Sequence, residues 1–265
     1  MFTLYFSATG NTKYIAELFS DKIGATCLSI EADADFASEI TSHDTIAFCY
    51  PIYGSRVPRI MREFVEKHMD NLQGKKIVIL VTQMMFSGDG ARVFTDMFAD
   101  DAVQVIYAEH FNMPNNICNT PILKHASKRK IEKYKAKTEK KMARVCKDIE
   151  NGTIRKRGFS KLSILLGSTQ GKTWQGDSKN PHLNKNSMEQ KAKSAVKIHD
   201  DCNSCGLCVK ICPMRNLQMQ DETLQHLNNC TLCYRCVNRC PQKAITVLFH
   251  RRPKWQYRGL GGNIK

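Results

Sequence analysis

FTLYFSATGNTKYIAELFSDKI, running from Phe2 to Ile23, decides the fold. Phe2–Phe6 reads as a strand and Ser7-Ala8-Thr9-Gly10-Asn11-Thr12 as a loop. Lys13–Lys22 reads as a helix, with Ile15, Leu18, Phe19 and Ile23 at three- and four-residue intervals. A loop that opens a helix presents unpaired backbone N–H groups at the positive end of the helix dipole, a setting that binds phosphate. Ser7, Thr9, Asn11 and Thr12 add uncharged donors, and Gly10 lets the backbone approach closely. With no P-loop lysine in the loop, the pattern fits a monophosphate held by hydrogen bonds rather than a triphosphate with magnesium.

Outward from this unit, strands are expected at Thr45–Cys49, Lys76–Val81 and Val103–Tyr107. Helices are expected near Pro58–His68, Asp89–Phe98 and Lys124–Glu150. The unbroken apolar run Ile77–Val81 suits a parallel strand buried on both faces. The alternation implies an α/β domain with a doubly wound parallel sheet, whose ligands sit beyond the C-terminal strand ends. Two further loops reach that edge, Tyr50–Pro58 and Thr82–Gly90, giving a phosphate cradle and two walls.

These residues resemble the flavodoxin family over residues 1–150. The resemblance implies an FMN phosphate on Ser7, Thr9, Gly10, Asn11 and Thr12. It also implies ring contacts from Pro51, Tyr53 and Gly54 and from Phe86, Ser87, Gly88 and Asp89. Tyr53 offers a flat apolar face with a polar tip for stacking, Phe86 is a second aromatic, and both also suit an ordinary core. Met84-Met85 departs from the family where a glycine would let the backbone hug the flavin.

Residues 151–194 carry turn residues and charges with little periodicity and read as a linker. Within them Gly167–Thr173 resembles a Walker A loop but falls one residue short. Beyond the linker, Cys202, Cys205, Cys208, Cys212 and Pro213 spell C-x2-C-x2-C-x3-C-P, and Cys230, Cys233, Cys236, Cys240 and Pro241 spell it again. The competing reading is a pair of zinc sites, which would leave each third cysteine without a task. A disulfide scaffold fits poorly with a chain whose start carries no export signal.

Residues 195–249 resemble the bacterial-type two-cluster ferredoxins, a small α+β domain. Val196–Ile198 and Ile245–Leu248 read as its edge strands. The resemblance implies one [4Fe-4S] cluster on Cys202, Cys205, Cys208 and Cys240 and another on Cys230, Cys233, Cys236 and Cys212. The whole pattern is similar to flavodoxin–ferredoxin fusion proteins found mainly in anaerobic microbes, and Asn112–Asn116 also fits them.

The 265-residue chain carries a formal charge of +15, with acidic side chains in excess through residue 123 and basic ones from residue 124 onward. That surplus suits acidic redox protein partners, and equally a solvated helix face. The basic, aromatic tail of residues 250–265 suits either single-stranded nucleic acid or packing against the first domain. No apolar run approaches the ~20 residues of a membrane span. Thiols and clusters together point to a reducing cytoplasm.

The expected function is an electron relay between two [4Fe-4S] clusters and FMN in low-potential anaerobic metabolism. Its rivals are a flavin-dependent reductase of a small acceptor and a cluster-bearing sensor or nucleic-acid binder. No catalytic acid or base stands out, and Cys27, Cys49, Cys118 and Cys146 lack ligand spacing.

Overall fold

The computed structural model describes residues 1–175 and 187–260. Residues 176–186 of the expected linker and 261–265 of the tail therefore lie outside the described residues. The first domain alternates β1 (Phe2–Tyr5), α1 (Asn11–Ile23), β2 (Thr26–Ser29), α2 (Phe36–Thr41), β3 (Thr45–Pro51), α3 (Arg59–Lys67), α4 (Met69–Leu72), β4 (Lys76–Gln83), β5 (Gln104–Asn112) and α5 (Lys128–Glu150). The sheet order is β2-β1-β3-β4-β5, with a two-residue β6 (Arg155–Lys156) added at the β5 edge, and every pairing is parallel. This is the doubly wound order with its switch point between β1 and β3.

Each sheet face has its own apolar layer, as both-sided burial requires. Ile15 and Phe19 of α1 pack with Val78, Leu80, Met142 and Val145 on one face. Phe48, Tyr50, Ile77, Ile79, Met61 and Val65 fill the other. α5 starts on Ser127, whose side chain accepts from Lys130 N at 3.3 Å, a hydroxyl N-cap that sets the start four residues inside the expected span. Buried Glu109 binds α5 and β6 to β5 through Arg144 at 2.6 Å, Arg157 at 3.1 Å and Lys141 at 3.5 Å. The helix expected over Asp89–Phe98 is a 3-10 turn at Arg92–Met97, drawn tight by Arg92 pairing with both Asp89 and Asp96.

The expected linker is not structureless. After β6 it forms α6 (Lys161–Gln175) and, past the undescribed stretch, α7 (Met188–Lys193). α6 hides from periodicity analysis because its buried face is Gly167, Gly171 and Gln175, while Leu162, Leu165 and Leu166 stay exposed. Its glycines dock by backbone proximity: a Cβ on Gly167 would stand 1.8 Å from Asp89 Oδ1, and one on Gly171 1.9 Å from Arg56 Cζ. The Walker-like stretch Gly167–Thr173 is therefore helical and not a phosphate loop.

The second domain holds β7 (Val196–Ile198), α8 (Leu207–Ile211), β8 (Leu217–Gln220), β9 (Thr223–His226), α9 (Arg235–Arg239) and β10 (Ile245–Val247). β7 pairs antiparallel with β10, and β8 with β9. Apart from its cysteines the core is small, built on Val196, Leu217, Leu224, Val237, Ile245 and Val247. So few large apolar groups leave bound metal to supply much of the stability.

Candidate functional site

At the C-terminal edge of the sheet, four loops and part of the second domain enclose a cavity. Its first wall is the loop after β1, with Ser7, Thr9, Asn11 and Thr12 among the lining residues. Gly10 caps α1 at φ 106, and its N–H donates to Ser7 Oγ at 3.1 Å. That left-handed conformation is open to glycine at little cost, and it leaves the first-turn N–H groups of α1 facing the loop. Thr12 Oγ1 lies 2.9 Å from Thr82 Oγ1, fixing the cradle to the end of β4.

Pro51, Tyr53 and Gly54 form the second wall. Tyr53 and Arg56 exchange backbone hydrogen bonds of 3.1 and 3.0 Å across a tight turn with Gly54 at φ 54 and Ser55 at φ 61. Two successive positive φ values mark the primed turn geometry that favours glycine. Gly54 is also where Trp174 of α6 arrives, since an added Cβ would stand 2.4 Å from Trp174 Cβ. The Tyr53 and Trp174 rings lie 6.2 Å apart.

The third expected wall is only partly present. Gln83 and Met84 line the cavity, but Phe86, Ser87, Gly88 and Asp89 do not. Phe86 is half exposed. Ser87 donates to Gln83 Oε1 at 2.5 Å, Gly88 abuts Gly167, and Asp89 pairs with Arg92 at 2.8 Å. These contacts set the loop against α6, and the sequence expectation of flavin contacts from Phe86, Ser87, Gly88 and Asp89 stands as a proposal. Met84-Met85, the departure from the family pattern, stands at this bend.

Sequence reasoning did not assign to the site several other lining residues, among them Asn115, Asn116 and Ile117 after β5, Trp174 of α6, and Leu232, Tyr234 and Leu248 of the second domain. Asn115 and Asn116 carried only the resemblance of the Asn112–Asn116 stretch, and the other side chains had no local signal. Asn116 Nδ2 links the parts, donating to Thr9 Oγ1 at 3.3 Å and Cys233 O at 3.4 Å. The tail closes the outside of the cradle: Tyr257 Oη donates to Asn11 Oδ1 at 2.6 Å, and Gly259 lies against Thr9 and Gly10. Tyr257 and Leu260 are buried and Trp255 packs against His125, so the tail's aromatic rings are engaged within the protein.

The cavity suits FMN on three grounds. Among the described residues no lining side chain is charged, so an anionic head group meets hydroxyl, amide and backbone donors at a helix N-terminus. The hydroxyls of Tyr53 and Tyr234 are buried without a partner among the described residues, as expected of groups left for a ligand. Aromatic and aliphatic side chains of Tyr53, Trp174, Leu232 and Leu248 line the same cavity as the polar cradle.

The cysteines fall into two sets of four. Cys202, Cys205, Cys208 and Cys240 surround one small cavity, and Cys212, Cys230, Cys233 and Cys236 surround another. Each set takes its fourth member from the other copy of the repeat. Among the described residues no three His, Cys, Asp or Glu side chains converge as a site for one metal ion would require. Four thiols around a void fit a cubane better than zinc. Backbone N–H groups of Asn216, Leu232 and Ala244 donate to Cys212, Cys230 and Cys240 Sγ at 3.3, 3.4 and 3.3 Å, fixing the positions of three sulfurs.

A flavin cradle at the edge of a doubly wound sheet, beside a domain with two cysteine quartets, defines an iron–sulfur flavoprotein with an electron-transfer role. The flavodoxin domain model matches residues 2–144, and the 4Fe-4S dicluster domain model matches residues 201–244. The chain belongs to the flavodoxin domain family and continues into a 4Fe-4S dicluster domain.

Similar solved structures include two-electron reduced Megasphaera elsdenii flavodoxin, at 23% identity over 44% of this chain and 90% of that one, with a TM-score of 0.38. A flavodoxin from the domain Archaea is 16% identical over 56% and 97%, with a TM-score of 0.39. Oxidised flavodoxin 2 from Bacillus cereus is 17% identical over 54% and 97%, with a TM-score of 0.34. Comparison with curated proteins found no match. No helix among the described residues is long and apolar enough to cross a membrane.

Proposed function

We propose that the chain is an intramolecular electron relay joining FMN to two [4Fe-4S] clusters. Ser7, Thr9, Gly10, Asn11 and Thr12 would hold the phosphate, with Pro51, Tyr53 and Gly54 beside the ring. Cys202, Cys205, Cys208 and Cys240 would hold one cluster, and Cys212, Cys230, Cys233 and Cys236 the other. When bound, FMN stores up to two electrons and each cluster passes one, so their union connects one- and two-electron traffic.

The observation that carries this reading is the shared wall. Leu232 and Tyr234, which flank Cys233 in the chain, line the same cavity as the phosphate cradle. Cys233 itself packs against the first domain's core. FMN and this cluster would then lie on either side of one protein wall.

Cys205 is exposed, giving the other quartet a route to the surface. The basic surplus would steer acidic redox protein partners there, in a reducing cytoplasm and in low-potential anaerobic metabolism. Anaerobic purification should return iron and sulfide near eight each per FMN. Rapid mixing with a low-potential one-electron donor should bleach the clusters and then the flavin. A flavin that stays oxidised beside reduced clusters would overturn the relay.

A further inference from the structure

The two cysteine copies have the same spacing and matching backbone conformations, and three of the positions at which they differ lie between their first and third cysteines and reach the first domain in the second copy. After the first cysteine of each copy, a left-handed residue is Ser204 at φ 53 in one and Leu232 at φ 54 in the other. After the second cysteine the pair is Gly206 at φ 70 and Tyr234 at φ 63. The next residue is Leu207 in the first copy and Arg235 in the second. Leucine and tyrosine are poor choices for a left-handed position, and glycine is the natural one. Strain retained at a site is a pointer to a role there.

All three second-copy residues reach the first domain. Leu232 and Tyr234 line the flavin cavity, and the Tyr234 hydroxyl is one of its two buried groups without a partner among the described residues. Arg235 grips the phosphate loop itself: Nε donates to Ala8 O at 3.0 Å and Nη2 to Ser7 O at 2.9 Å. The same guanidinium pairs with Glu31 at 2.6 Å and donates to Ile211 O, beside Cys212, at 3.0 Å. In the first copy Leu207 is exposed, and its quartet opens to the surface at Cys205.

Resting on the relay reading, we infer that the second copy is the flavin-facing one. Through Leu232, Tyr234 and Arg235, filling of the Cys212/Cys230/Cys233/Cys236 site and binding of FMN reinforce each other. A filled quartet holds residues 230–236 in the conformation that completes the cavity wall and anchors Ser7 and Ala8. Bound FMN in turn holds that segment against the cysteines. The effect is reciprocal because a coupling free energy belongs to the pair of sites. The first copy, lacking these side chains, is the outward-facing partner port.

The test is an FMN titration of the full chain, read by flavin fluorescence, with clusters reconstituted and again after chelation of iron. Tyr234→Gly and Arg235→Leu are titrated in parallel, with iron and sulfide quantified in each. Chelation should weaken FMN binding at least tenfold, and FMN should slow iron loss to the chelator several-fold. Tyr234→Gly restores the first copy's residue and removes left-handed strain, so it should keep its iron while binding FMN at least tenfold more weakly. Equal FMN affinity with and without iron, or iron loss unaffected by FMN, overturns the coupling. A fully loaded Tyr234→Gly that binds FMN as the parent does overturns the assignment to this segment. A parent protein that holds no FMN or no sulfide defeats the relay reading itself, whereas both cofactors bound independently defeat only this inference.

Discussion

His110 illustrates how one side chain ties the site to pH. It is buried on β5, with Nδ1 3.4 Å from Ser87 Oγ and Nε2 without a partner. Burial, and then the nearby Arg157 charge, push its pKa down to about 4, with Glu109 opposing and Lys141 adding to the drop. The unfolded chain, with an ordinary histidine pKa near 6.5, binds a proton that the folded chain refuses between those values. Stability is therefore fully present above about pH 6.5 and declines toward pH 4, by roughly 3 kcal/mol in total. Glu109 acts in a lower window. Burial opposes its ionisation, but the His110 N–H and the charges of Lys141, Arg157 and Arg144 outweigh it and hold the carboxyl below its usual range. Its contribution is lost only as the pH falls through that lowered value. Urea midpoints taken at pH 7 and pH 5 should drop in the parent protein and drop less in His110→Gln. Parallel drops would assign the acid sensitivity elsewhere.

Helix α6 brings a different physics, that of close backbone approach. Gly167 and Gly171 let the helix press on Asp89 and Arg56, and this delivers Trp174 to Gly54 and the flavin cavity. Ser55 Oγ adds a hydrogen bond of 2.7 Å to Gln170. Gly167→Ala gains about 1 kcal/mol of helix propensity. It also sets a methyl group 2.7 Å from the Asp89 backbone nitrogen and closer still to its carboxylate. Overpacking of this kind costs about 1–3 kcal/mol, so the helix should shift outward. The expected readouts are a red-shifted Trp174 emission and weaker FMN binding, whereas Leu165→Ala on the exposed face should change neither. An unchanged emission in Gly167→Ala would show that α6 does not depend on this contact.

Across the whole molecule, the tail and α9 act as a strap between the domains. Gln256 Nε2 donates to Val237 O and Cys240 O at 2.9 and 2.7 Å, and Tyr257 N donates to Asn238 Oδ1 at 2.6 Å. Asn238 Nδ2 then donates to Asn116 O at 2.8 Å, and Leu260 packs on the first domain's α1–α5 layer. Deleting residues 256–265 removes the Gln256, Tyr257 and Leu260 contacts at once and leaves the Asn238–Asn116 bond. With roughly 1 kcal/mol for each hydrogen bond lost, FMN affinity should fall by tenfold or more, and Tyr257→Phe alone by about fivefold. Equilibrium dialysis of FMN against the three proteins measures both effects. Equal retention would mean that the strap leaves the cradle unaffected.

The sequence by itself determined whatever depends on neighbours along the chain. Strand–loop–helix patterning revealed the doubly wound sheet and the Ser7–Thr12 cradle, and cysteine spacing revealed the two quartets. Spacing alone did not supply the exchange of fourth cysteines, which came from the ferredoxin resemblance. The tertiary structure decided everything that depends on approach across the chain. It set the Phe86–Asp89 loop against α6, made a helix with a glycine face out of an expected linker, and brought Trp174, Leu232, Tyr234 and Leu248 to the flavin cavity. Glycine docking leaves no apolar period to read. A leucine or tyrosine in a left-handed turn looks ordinary until the fold shows what its side chain reaches.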